Sequence, residues 1–214
     1  MDEVIASKLG FEFIGGSVCL DFVNTVRGAR GKVSYEGLTR YSDLISWSQQ
    51  ATLVTASEAE VLELIAQGCE EEALAVLQRA YLLREALRQI FIALSTDTPP
   101  SSADVEALNR ELRKGTTGAS IVLNADGLRW EWEQAEGTLD QMLGPVARSA
   151  ALLLTSAEPS LIRQCANVRC CWLFVDTTKN HSRHYCRTSI CGNKVRVRRH
   201  RQRLRDESAS RTEA

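Results

Sequence analysis

A chain of 214 residues, 44% hydrophobic and 25% charged, is long enough for one packed domain with a small appendage, and its net charge is only −1. That balance conceals a segregation: residues 1–160 hold 13 Lys+Arg against 23 Asp+Glu, a net of −10, and residues 161–214 hold 13 against 4, a net of +9. The acidic start MDEVIASKLG is unlike a secretory signal, and the apolar stretch at 150–154 is far short of the ~20 residues that cross a bilayer. A cytoplasmic protein with two modules of different partners, and no membrane partner, is expected.

In chain order, Phe11 to Val26 turns at Gly15-Gly16 and then alternates through SVCLDFVNTV, which reads as a short strand. Gly28 to Gly37 reads as a loop, and Tyr41 to Leu53 as a helix capped by Ser42 or Asp43. Ser57 with Glu60 three residues on suggests a capping box for a short helix that Gly68 ends. The clearest helical period runs from Glu70 to Leu94 through Leu74, Leu77, Leu83, Leu87, Ile90 and Phe91, which makes this the central core helix. Pro99-Pro100 stops the chain and Ser101 or Ser102 restarts it as a helix through Leu112. Two alternating runs around Asn124-Ala125-Asp126-Gly127 predict a β-hairpin, and Thr138 to Thr155 a further helix. The fold class expected is α+β: a mostly helical N-terminal domain at 1–158, with a short strand and a β-hairpin, then a small four-cysteine module ending in a basic helix at 159–206 and a frayed tail at 207–214.

Five of the seven cysteines lie between Cys165 and Cys191, and four form two pairs of equal spacing, Cys165-x4-Cys170 and Cys186-x4-Cys191. In a reducing compartment that bunching argues for metal over disulfides, and a segment with so small an apolar core needs a staple. Cys165, Cys170, Cys186 and Cys191 are the candidate ligands of one structural Zn2+. Cys171 adjoins Cys170 and should point away from it; His181 and His184 lie in the intervening loop, where either could replace a thiolate. A catalytic zinc would keep an open position beside a base, and the module holds a single acid before its tail, Asp176. No phosphate loop, dinucleotide fingerprint, paired carboxylates or Ser/His/Asp set stands out elsewhere, so an enzyme is not expected.

From Lys194 to Arg205 seven of twelve residues are Lys or Arg, uninterrupted by Pro or Gly. A helix there would dock by a seam of Ile190, Val197 and Leu204 and present its guanidinium groups to a polyanion. Arg183, Lys194, Arg196, Arg198, Arg199, Arg201, Arg203 and Arg205 are the candidate DNA contacts, with RNA the second choice. The competing reading folds this helix onto the acidic domain. Asp21, Asn24 and Arg27 could converge on a pocket for a small-molecule effector, against the plainer reading that Asp21 and Asn24 tether a loop through backbone hydrogen bonds. A ligand-binding protein or enzyme centred on the N-terminal domain, or a finger that binds another protein, are the alternatives to a DNA-binding regulator.

The run from Cys165 through Cys170, Trp172, Phe174 and Asp176, then Arg183-His-Tyr185-Cys186 and Cys191-Gly192-Asn193-Lys194, resembles the CGNR zinc-finger proteins. Gly15-Gly16 followed by Leu20-Asp21-Phe22-Val23-Asn24-Thr25 is similar to the opening of the ABATE domain that accompanies that finger. The resemblance implies a bacterial stress-induced transcription regulator with the four matching cysteines as zinc ligands. Two positions depart from the pattern: Lys194 stands where the motif ends in Arg, which loses a planar bidentate fork, and Cys171 stands where Gly is common. Because one finger reads few base pairs, a homodimer is expected.

Overall fold

A computed structural model describes residues 10–115, 119–124, 127–132, 137–156 and 159–212. The fold is α+β and mostly helical. In chain order the elements are α1 (Val18–Val23), β1 (Val26–Ala29), β2 (Lys32–Glu36), α2 (Tyr41–Gln50), α3 (Ala56–Gly68), α4 (Glu70–Ser95) and α5 (Ser102–Gly115). They continue with β3 (Ala119–Asn124), β4 (Gly127–Trp132), α6 (Leu143–Thr155), β5 (Ile162–Gln164), β6 (Leu173–Val175) and α7 (Asn193–Thr212). Strands pair antiparallel as β1–β2, β3–β4 and β5–β6.

Helix α4 is the axis of the core. Its residues Leu77, Leu83, Leu87, Ile90 and Phe91 are buried, while Leu74 on the expected apolar face is exposed. It packs against α1, α2, α3, α5, α6 and β5. Ion pairs tie its polar positions to neighbours: Arg79 bridges Glu111 on α5 and Asp140 ahead of α6, and Arg84 reaches Glu36 on β2 and the Thr25 hydroxyl.

The strand expected at Phe11 to Val26 is instead helix α1. All of Cys19 to Val23 is buried, so the two-residue alternation marks no solvent face, and a segment enclosed on every side is free to take the helical form. Gly15 and Gly16 make the turn before it: Gly16 has φ of 84°, and a Cβ at Gly15 would lie 2.7 Å from that of Leu20. The loop expected at Gly28 to Gly37 is the β1–β2 hairpin, in register from Val26↔Glu36 to Ala29↔Lys32 with a bulge at Arg27/Gly28. Gly28 sits at φ 152°, and a Cβ there would meet the Lys32 carbonyl at 2.2 Å.

Helices α2 and α5 start at Tyr41 and Ser102, as read in the sequence, and the starts of α3 and α6 differ from the reading. At α2 the Asp43 carboxylate, inside the first turn, accepts from the backbone N–H groups of Thr39 and Arg40. At α3 the box is Thr55 with Glu58, two residues earlier than Ser57 with Glu60. Ser101 caps α5 through the Asp104 N–H. The helix expected from Thr138 begins at Leu143, while Leu139 and Met142 are buried in the preceding turn. The β3–β4 hairpin pairs Asn124 with Gly127, as the turn residues predict.

At the C-terminal end β5 and β6 pair from Ile162↔Val175 to Gln164↔Leu173, and Ile162, Leu173 and Val175 enter the same core cluster as the helices. The tail expected to fray from 207 continues as α7 to Thr212, supported by Gln202 donating to Asp206 and Ser208 donating to the Leu204 carbonyl.

Candidate metal centre and nucleic-acid interface

Two backbone knuckles bring the cysteine pairs together. In the first, Cys165 leaves β5 with its N–H on the Trp172 carbonyl at 2.9 Å, and the Cys170 N–H donates to the Asn167 carbonyl at 2.7 Å. In the second, Cys191 sits in a wide helical turn at Thr188–Gly192 and its N–H donates to the Arg187 carbonyl at 2.8 Å. The four sulfurs lie within 4.8 Å of one another. The Sγ atoms of Cys170 and Cys186 are 3.7 Å apart, and those of Cys186 and Cys191 3.6 Å. A tetrahedron with arms of about 2.3 Å has edges of about 3.8 Å, so the cage has the dimensions of a four-thiolate zinc site.

The four sulfurs do not all ionise by themselves. Hydrogen bonds from the Cys170 and Cys186 thiols favour a thiolate at Cys165, whereas that neighbour, together with burial, pushes Cys170 and Cys186 up. Four anionic sulfurs at this spacing require a cation among them. Asn167, buried and missed by the sequence reading, donates its side-chain N–H to the Cys191 sulfur at 3.6 Å and accepts from the Arg169 N–H. Its place between Cys165 and Cys170, where a turn needs a side-chain acceptor, was the available signal.

The neighbouring candidates fall outside the cage. Cys171 Sγ lies 3.9 Å from the Val26 carbonyl, on the side facing β1. His181 approaches the Asp176 carbonyl through Nδ1 at 3.2 Å, and His184 is exposed while its carbonyl accepts from the Ala166 N–H. Asp176 is fully buried and organises this loop. Burial pushes its carboxyl up, but bonds from the Thr178 hydroxyl and N–H and from the Arg183 N–H outweigh it and hold the carboxyl below the usual range.

The finger is locked to the helical domain by polar bonds. The Asn24 amide donates to the Leu173 carbonyl at 2.8 Å and accepts from the Leu173 N–H at 2.9 Å, so a side chain replaces a strand partner for β6. Trp172 Nε1 donates to the Val26 carbonyl, Val175 N–H to the Gly15 carbonyl, and Arg30 to the Cys165 carbonyl. Asp21 accepts from the N–H groups of Ile14 and Gly15 through Oδ1, and burial pushes its carboxyl up against those two bonds. Asp21 and Asn24 therefore both hold backbone groups. Arg27 stands apart from them, over the Tyr35 and Trp172 rings and 3.7 Å from Glu12.

Arg183, placed by sequence among the DNA contacts, stacks on Phe174 at 4.2 Å and donates to the carbonyls of Ile14, Tyr185 and Cys186. Its guanidinium fastens the second knuckle to the domain. The remaining cations lie on α7: Lys194, Arg196, Arg199, Arg201, Arg203 and Arg205 are exposed and Arg198 is half-buried. None of them forms an ion pair with an acidic residue among the described residues; the basic segment meets the acidic domain through Arg187 and Glu12, 3.1 Å apart, one turn before α7 begins. The seam expected to dock on the knuckle is not sealed, since Ile190, Val197 and Leu204 are 38, 40 and 49% exposed. Helix α7 packs chiefly on the turn that precedes it.

A helical domain clamped to a four-cysteine cage, with an exposed basic helix rising from it, defines a zinc-finger protein. Residues 162–204 match the family model described as "CGNR zinc finger", and its four cysteines are positioned to hold one zinc ion. Residues 16–157 match the ABATE family model, described as "Putative stress-induced transcription regulator". The chain belongs to the ABATE family and carries a CGNR finger at its C-terminal side. Neither is an enzyme family. Among curated proteins none matches the chain. No helix among the described residues is long and apolar enough to cross a membrane.

Proposed function

We propose that this protein is a cytoplasmic, DNA-binding transcription regulator in which zinc is structural, catalysis plays no part, and α7 is the nucleic-acid contact. The observation that supports this reading is the state of α7: a row of guanidinium groups held in solvent, without acidic partners among the described residues, on a helix rooted in a metal-stiffened turn. Arg196, Arg199 and Arg203 recur at three and four residues and form one stripe of that helix. A helix of about 10–12 Å diameter fits a major groove about 12 Å wide, where arginine can pair with phosphates and with guanine edges. Duplex DNA is preferred to RNA because the major groove of an A-form helix is too narrow for this element.

The test is binding of zinc-loaded protein to a random duplex across a salt series. Log affinity should fall linearly with log salt, and Arg196, Arg199 and Arg203→Ala together should lower affinity at least about tenfold and flatten the slope by about 3. Unchanged affinity and slope would remove α7 as the contact. A homodimer would double the number of base pairs read, and its presence is checked by sedimentation.

A further inference from the structure

Helix α7 carries a second cationic stripe on the side that overlooks the finger, with Lys194, Arg201 and Arg205 exposed and Arg198 half-buried. Lys194, Arg198, Arg201 and Arg205 recur at four, three and four residues, on the side of the helix opposite Arg196, Arg199 and Arg203. All four line a cleft of about 730 Å³ between α7 and the body of the finger. Arg169 enters from the first knuckle, and Trp172, Ile190 and Val197 supply apolar surface. Glu12, the one carboxylate on the wall among the described residues, is engaged by Arg187 and Arg27. Cys170, Cys186 and Cys191 of the cage also line the cleft, and four thiolates around one zinc carry a net charge of about −2, which leaves the cations in excess. Arg169 and the four cations of the stripe have no anionic partner among the described residues.

Five like charges converging on a concave space repel one another, and the low-dielectric wall beneath them focuses their field. An anion relieves that repulsion, whereas water only screens it. The volume lies within the range of small-molecule sites, and apolar patches beside converging charges are what an organic ligand needs for both of its parts.

We infer that this cleft binds a small organic polyanion: a flat apolar or aromatic body bearing two or more phosphate-type charges. Phosphate oxygens pair with Arg198, Arg201 and Arg205, and the ring system lies toward Trp172, Ile190 and Val197. Because one wall is α7 and the other the zinc knuckle, an occupied cleft fixes the pose of the helix and leaves the outer stripe exposed. The site is separate from the DNA contact, so each can fail without the other.

The test uses full-length zinc-loaded protein and the fluorescent nucleotide N-methylanthraniloyl-ADP. Saturable binding is expected, weakened about tenfold or more by Arg198 and Arg201→Ala together and changed less than about threefold by Arg196, Arg199 and Arg203→Ala. Pyrophosphate and uncharged N-methylanthraniloyl-adenosine should each bind more weakly than the nucleotide. Absence of saturable binding by the wild type overturns the inference. So does equal weakening by the two sets of substitutions, or a nucleoside that binds as well as its diphosphate. Duplex affinity is measured on the same proteins. If the inner substitutions abolish DNA binding while the outer ones spare it, the cleft belongs to DNA and the small-molecule site is refuted. Zinc content and melting temperature establish that each variant is folded.

Discussion

The zinc knuckles and α7 are neighbours in sequence and opposites in physics. In the knuckles nearly every polar group has a partner: four buried thiols face one another, Asp176 accepts from three donors, and Arg183 reaches three carbonyls. On α7 the long cationic side chains end in solvent or in an open cleft, and the apolar seam is uncovered. Polar groups that are satisfied internally build a rigid mount, and charges left unpaired beside that mount await an outside partner. The contrast assigns stability to one segment and recognition to the other.

The strongest way to break that division is to remove the metal. Cys186→Ser, or chelation, should reduce zinc from one per chain to none and lower the melting temperature of the whole protein, with a cost of roughly several kcal/mol, because β5 and β6 share the helical core. Elemental analysis with thermal denaturation reads both. A melting curve unchanged by zinc loss would make the finger an independent appendage. Next in size, Asn24→Ala leaves the Leu173 N–H and carbonyl buried without their partner and should cost about 2–4 kcal/mol in urea unfolding. By contrast Arg199→Ala on α7 should leave stability within about 0.5 kcal/mol.

Asp176 gives a comparison by pH. Its folded carboxyl titrates below the ordinary value of 3.8, so the stability it contributes is fully present above that value and is lost as pH falls through it and below. Asp176→Asn should therefore be less stable than the wild type at neutral pH, and the gap should narrow at pH about 3, measured by denaturant unfolding. The smallest effect expected is at Cys171. Its sulfur contacts the β1 side, so Cys171→Ala should retain one zinc per chain. A fall in stoichiometry would place this thiol in the cage.

Much of the protein was legible along the chain. The two cysteine pairs announced the cage, because four thiolates at matched spacing have few other uses. The period from Glu70 to Leu94 announced α4, and the turn residues Asn124 to Gly127 the β3–β4 hairpin. These signals are local, carried by residues that also neighbour one another in the fold. The reading failed where a segment was enclosed: Cys19 to Val23 has no solvent face, so its alternation carried no information and a helix passed for a strand. At Arg183 the chain order also hid the surroundings. An arginine three residues before a cysteine reads as a phosphate ligand, and only the fold brings the carbonyls of Ile14, Tyr185 and Cys186 around it.

The amino-acid sequence alone determined the cage, the core helix and the concentration of positive charge at 194–205, since each depends on spacing within a few turns of chain. Tertiary structure alone decided how Asn24 reaches across 149 residues to complete β6, and which cations are bound inward. It also divided the α7 arginines between an outer face and a cleft. Helical spacing sorts them into two stripes, but which stripe overlooks a cleft depends on where the finger packs, and that is set by contacts between segments far apart in the chain.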